Sequence, residues 1–230
     1  MVIQEGLIKP WGELALYYDF AKRMAEGQLP YKDFFPEYPP LAMPFFRIPL
    51  VFGVEYYMLA YYGLVALFIV LTILVIKKMG GNPFAFLAPV LVLGGLFWDR
   101  FDIFPAFFTV FAVYLSMKKK VFWSSFVLSL GFLTKIYPLL LIPIIVWPFI
   151  KEPKKLILSG IAFIIPIFIV LVVILGYGGK EGLLRFVQFQ GKRGIHLESV
   201  RTTPLLIQYL NGKIDLETTY QHNTFEVIQK

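Results

Sequence analysis

Glu13 opens a segment, Trp11-Gly-Glu-Leu-Ala-Leu-Tyr-Tyr-Asp-Phe-Ala-Lys-Arg-Met-Ala-Glu-Gly27, in which Leu14, Tyr17, Tyr18, Ala21, Met24 and Ala25 recur at helical spacing. Gly27 is placed to stop the helix. A carboxylate in a first turn is favoured by the helix dipole alone. Set among aromatics that raise its pKa, the same carboxylate can deprotonate a hydroxyl as a general base. Asp19 is the second candidate for that role, whereas Asp33 and Glu37 lie in a proline-rich turn and fix loop shape. The next charged group is Phe97-Trp98-Asp99-Arg100-Phe101-Asp102. Asp99 as a helix N-cap, with Asp102 in the first turn, accounts for the acids but not for Arg100. A guanidinium at a lipid boundary offers a bidentate fork to phosphate. A metal pair at Asp99 and Asp102 lacks an evident third ligand.

Lys135, in Thr134-Lys135-Ile136-Tyr137-Pro138, either snorkels to the interface or neutralises a lipid phosphate. A later run from Gln188 to Pro204 gathers Lys192, Arg193, His196, Glu198 and Arg201 into one polar stretch, denser than a connector requires. His196 and His222 are too isolated to suggest zinc. There is no Gly-x-Ser-x-Gly elbow, His-Glu-x-x-His pair or P-loop.

The elements that must position these groups are apolar. Hydrophobic residues make up 58% of the chain and charged residues 16%, and mean hydropathy is +0.70. That composition, with apolar runs broken by short polar junctions, indicates an all-α, polytopic membrane protein. Its net charge of +7 comes largely from lysine clusters at span ends, so it gives no reason to expect nucleic acid. With no cysteine, disulfides and thiolate chemistry are excluded.

Tyr56 to Ile76 and Leu156 to Tyr177 have the length a helix needs to cross a bilayer. Pro83 to Phe97, Ile103 to Met117, Val121 to Thr134 and Leu139 to Ile150 are shorter and must draw polar flanks to membrane depth. Leu41 to Gly53, with Arg47 and two prolines, suits a short, broken or re-entrant helix. The expectation is therefore six or seven membrane segments: an outer loop over 1–40, a helical core over 41–177, and an outer segment over 178–230.

Lys77-Lys78, Lys118-Lys119-Lys120 and Lys151 with Lys154-Lys155 fall at every second junction, which assigns those junctions to the cytoplasm. Of the fifteen acidic residues only Glu152 then lies inside, and every arginine lies outside. Arginine on the disfavoured side suggests an anion to bind. Residues 1 to 40 contain no anchor or signal peptide, and the polar stretch from Asn211 ends without a closing helix, so a fragment is expected.

In order along the chain come Glu13-x-x-x-Tyr17, Gly27-x-x-Pro30-Tyr31-x-Asp33-Phe34-x-x-Glu37-Tyr38-Pro39-Pro40, Trp98-Asp99-Arg100-Phe101-Asp102, Lys135-x-Tyr137-Pro138 and Arg193-Gly-x-x-x-Glu198-Ser199. Together they resemble the GT-C superfamily of membrane glycosyltransferases. The closest group is glycosyltransferase family 87, the polyprenyl-phosphate-mannose-dependent α-mannosyltransferases.

The resemblance implies metal- and cofactor-independent transfer of a hexose, with inversion, from a polyprenyl-phosphate donor to a lipid or glycan acceptor on the outer leaflet. The family's base is usually aspartate, and the matching residue is Glu13, one methylene longer. Asp19 stands second. Arg100, Lys135, Arg193 and Arg201 become candidates for the donor phosphate. Tyr17, Trp98, Asp99, Asp102, Tyr137, His196 and Glu198 become candidates for sugar or acceptor contacts. The rival readings are a multi-pass transporter, which would place its charges mid-span, and a non-catalytic membrane fragment.

Overall fold

The computed structural model describes residues 12–192, 195–196, 202–221 and 224–229. The chain divides into two units, the first ending at Gly182 and the second running over Leu183–Lys230. Within the first unit, the segment over 12–40 packs against the helices that follow it.

In the first unit α1 (Gly12–Ala25) buries Leu14, Tyr17, Phe20 and Ala21. Gly27 follows at φ 87°, a conformation that glycine adopts without a Cβ penalty, and the helix stops. Helix α2 (Ala42–Arg47) passes directly into a 3-10 turn over Ile48–Phe52, which ends at Gly53 with φ 98°. At 1.5 Å per residue these turns are far too short to cross about 30 Å of hydrocarbon. The stretch is one short helix of mixed α and 3-10 pitch.

Two helices, α3 (Tyr57–Lys78) and α9 (Pro153–Gly176), are long and apolar enough to cross a membrane. Their most apolar windows have mean hydropathies of 2.7 and 3.1, yet only 28% and 22% of those windows is buried. A core helix of a water-soluble protein would be mostly enclosed. Here Leu59, Leu67, Val70 and Leu74 of α3 are exposed, as are Ile161, Ile164, Phe168 and Val172 of α9. Exposed apolar faces of this kind are compatible with an apolar medium.

The remaining helices are shorter. Helices α6 (Ile103–Met117) and α7 (Val121–Thr134) coincide with the spans read from the sequence. The 83–97 run, by contrast, is divided into α4 (Pro83–Leu93) and α5 (Gly95–Asp99). Gly94, at φ 49° and ψ −128°, makes the break. The 139–150 run is helical but changes pitch along its length: a 3-10 turn over Tyr137–Leu141, α8 (Ile142–Val146) and a second 3-10 turn over Trp147–Phe149. Pro138, Pro143 and Pro148 recur every five residues, each removing a backbone donor, and each sits near the start of a new piece.

Helix α7 is central, packed against both α6 and α9. Gly131 permits the close approach, since a Cβ there would lie 3.1 Å from Phe108 Cβ. Serines bridge the helices: Ser124 donates to the Ala112 carbonyl at 2.8 Å, and the Ser125 and Ser159 hydroxyls meet at 2.6 Å. In an apolar medium such contacts spare polar groups that have no water to turn to.

Helix α10 (Lys180–Lys192) crosses the boundary between the units. The second unit adds α11 (Thr203–Leu210) and an antiparallel sheet of order β1-β3-β2, formed by Ile195–His196, Thr224–Gln229 and Leu216–Gln221. In register, Thr218 faces Val227 and Tyr220 faces Phe225. The chain is mostly helical, consistent with the all-α expectation, and carries this one small sheet besides. The polar stretch after Asn211 carries β-branched and aromatic residues that suit a pleated ribbon.

Candidate functional site

The site is built at one end of the first unit's helices, where distant junctions converge. Leu41 N–H donates to the Leu133 carbonyl at 2.9 Å, bringing α2 against the end of α7. Tyr62, near the start of α3, donates to Asp99 Oδ1 at 2.7 Å. Tyr177, just past α9, donates to the Pro30 carbonyl at 2.9 Å. The junctions drawn together are those read from the sequence as facing one side.

Their floor is aromatic. Tyr17 is fully buried and stacked on Phe46 with ring centroids 4.2 Å apart and planes 7° from parallel. Tyr38 meets both edge-on, and Phe101 packs on Phe46 at 4.9 Å. Each such pair contributes about 0.5–1.5 kcal/mol beyond its buried area. The phenols are also hydrogen-bonded, those of Tyr38 and Tyr17 in a chain that ends on Glu13. Tyr31 donates to the Tyr38 carbonyl at 2.5 Å, the Tyr38 and Tyr17 hydroxyls lie 3.1 Å apart, and Tyr17 donates to Glu13 Oε2 at 2.7 Å.

Burial, reinforced by Tyr38 and then by Glu13, drives the Tyr17 phenol far above the usual tyrosine range. Tyr38 is raised by burial and next by Glu13, against the bond to Tyr17, which lowers it. Tyr17 therefore remains a hydrogen-bond donor at any working pH. Tyr61 lies beneath, fully buried, its hydroxyl without a hydrogen-bond partner among the described residues.

The charges stand above this floor. Glu13 Oε1 is 3.6 Å from Arg100 Nη2, with the side chains 40% and 37% exposed. Lys135 Nζ contacts Asp102 Oδ1 at 2.5 Å. Tyr137 follows two residues after Lys135, at the start of a 3-10 turn. Trp98 packs edge-on against Tyr62 at 6.3 Å. Glu13, Tyr17, Trp98, Asp99, Arg100, Asp102, Lys135 and Tyr137 are thus tied to the same end of the helical layer.

Several expectations change. Glu13 stands at the rim of the aromatic cluster rather than inside it. Asp19 accepts from Arg23 Nε at 2.7 Å, one turn along its own helix and on a different face from Glu13. Tyr17 cannot stack on a sugar, because Phe46 already covers its ring. Asp99 is the last residue of α5 instead of a cap, and Asp102 occupies the N-cap position of α6 without a capping bond. Both carboxylates are drawn to tertiary partners instead, Tyr62 and Lys135.

Arg193, Glu198 and Arg201 lie outside the described residues, as does the His196 side chain, whose backbone pairs with Glu226 in the sheet. The sequence reading overlooked Tyr38, Tyr61 and Tyr62. Tyr56, Tyr57, Tyr61 and Tyr62, crowded at one end of an otherwise apolar span, were the signal available.

Fold and site together define a mostly helical protein with two helices long and apolar enough to cross a membrane and a cluster of paired charges at one end. No family model, curated protein or solved structure matches the chain.

Proposed function

We propose that the chain is a multi-pass membrane glycosyltransferase of the GT-C type. It transfers a hexose, mannose in the first instance, from a polyprenyl-phosphate donor to a lipid or glycan acceptor at the non-cytoplasmic face. The observation that carries this reading is the pairing of one partly exposed carboxylate, Glu13, with Arg100, and of Asp102 with Lys135, at the end of a helical layer that includes two helices long and apolar enough to cross a membrane. A general base and cations for a phosphate are the two requirements of the reaction. A transporter would instead hold its charges mid-span.

In the proposed step the acceptor hydroxyl gives its proton to the Glu13 carboxylate. The freed oxygen pair forms the bond to the anomeric carbon from the face opposite the donor phosphate. The bond from that carbon to the phosphate oxygen breaks, its electron pair stays on the oxygen, and polyprenyl phosphate leaves. Arg100 and Lys135 neutralise the charge that develops there.

The test is to incubate the chain in membranes with labelled polyprenyl-phosphate mannose and identify the product. A labelled glycan or lipid with inverted anomeric configuration is expected, and labelled free mannose alone would refute transfer. Arg100→Ala should raise the donor KM about tenfold or more, as loss of a charge-assisted contact does; an unchanged KM would dissociate Arg100 from the phosphate.

The topology has its own check. The chain has no cysteine, so Gly191→Cys, at an exposed position of α10, provides a unique thiol. An impermeant maleimide is expected to label it from the non-cytoplasmic side. Labelling only after permeabilisation would invert the orientation.

A further inference from the structure

The two oxygens of Glu13 have unlike partners. Oε2 accepts from the Tyr17 phenol at 2.7 Å, and that phenol is fully buried and clamped against Phe46. Oε1 faces Arg100 Nη2 at 3.6 Å, across a contact in which both side chains remain partly open. One oxygen is anchored and the other is exchangeable, because a long, exposed ion pair is weak.

We infer that Arg100 holds Glu13 in a resting ion pair that the phosphodiester of the donor displaces, so that arrival of the donor anion releases the base. The inference rests on the transfer reading above and adds an order to it, donor before deprotonation. The donor's phosphodiester carries one charge, as the carboxylate does, but it presents two non-bridging oxygens to the guanidinium fork where the resting Glu13 presents one, so it is the stronger partner for Arg100. The same anion competes with Asp102 for Lys135, which is 39% exposed. Once Arg100 turns to phosphate, Oε1 faces the acceptor hydroxyl. A carboxylate facing a hydroxyl is a better proton acceptor than one facing a guanidinium. Tyr17 keeps the carboxylate in place during the exchange and acts as its positioning residue.

The exchange makes a prediction opposite to that of a carboxylate that helps to hold the donor. Glu13 competes with phosphate for Arg100, so Glu13→Gln should tighten anion binding while blocking transfer. The experiment measures binding of sugar-free polyprenyl phosphate, and separately of inorganic phosphate, to the whole chain in lipid nanodiscs at fixed ionic strength.

Glu13→Gln is expected to strengthen binding of both probes by about two- to fivefold, the coupling typical of an exposed pair. Polyprenyl phosphate should bind more tightly than inorganic phosphate, since its tail adds apolar contact. In an Arg100→Ala background the gain should vanish, as a double-mutant cycle requires of a direct competition. Unchanged or weaker binding in Glu13→Gln, a gain limited to one probe, or a gain that survives Arg100→Ala would each overturn the exchange and leave the transfer reading standing. Failure of the unmutated chain to bind polyprenyl phosphate would remove the transfer reading, and the exchange with it.

Discussion

Glu13→Gln is expected to lower hexose transfer by about 10²- to 10⁴-fold, the contribution of a positioned general base, while the protein folds as before. Folding should be spared because the glutamine carbonyl can still accept from Tyr17, and the lost ion pair with Arg100 is exposed. Circular dichroism and thermal unfolding in detergent check the fold, and initial rates with polyprenyl-phosphate mannose check the chemistry. Transfer within about tenfold of the unmutated chain would exclude Glu13 as the base. Glu13→Asp sharpens the test. The shorter side chain withdraws the carboxylate from the Tyr17 phenol, so this variant should lose most of the rate although it keeps the charge.

Phe46→Ala is expected to cost about 3–5 kcal/mol of stability, the range for truncating an enclosed phenylalanine. Phe46 is fully buried, and its ring is shared by Tyr17 at 4.2 Å, Phe101 at 4.9 Å and Tyr38 at 5.3 Å. Removing it leaves a gap that three stiff aromatics cannot close without moving. Tyr17 would lose the face that holds it, and Glu13 would lose a fixed anchor, so transfer should fall with stability. Phe46→Leu, which retains more of the volume, should recover part of both. A loss below about 1 kcal/mol in Phe46→Ala would show that the aromatic floor does not organise this end of the bundle.

Much of the helical layer was legible because its signals are local. The apolar runs of α6 and α7 begin and end at polar or basic residues, and the boundaries agree with the structure at both ends. The two longest helices were equally plain by length and hydropathy. The irregular elements were harder to place. Gly94 ends α4 by adopting a dihedral that an apolar count does not register, and three evenly spaced prolines give the 137–149 helix a mixed α and 3-10 pitch. The terminal sheet was missed because pairing Thr224–Gln229 with two other segments is a non-local event, whereas the reading of that stretch rested on polarity alone.

The candidate site was legible as a list of residue types. Arg100 read as surplus to capping, and the structure places it near Glu13. Asp99 and Asp102 read as a local capping pair, but the phenol of Tyr62 and the ammonium of Lys135 take their carboxylates. Asp19 and Glu13 read as near equivalents, and the helix turned one toward Arg23 and the other toward the bundle.

By itself the sequence determined where the chain is apolar, where helices start and stop, and which acids and bases are available at their ends. Those properties depend on hydropathy and on neighbours within a turn or two, which are written consecutively along the chain. The tertiary structure alone decided the pairings: Glu13 between Tyr17 and Arg100, Asp102 with Lys135, Asp99 with Tyr62, and Phe46 beneath Tyr17. A carboxylate takes whichever donor the packing of distant helices brings within about 3 Å, and no local pattern encodes that distance.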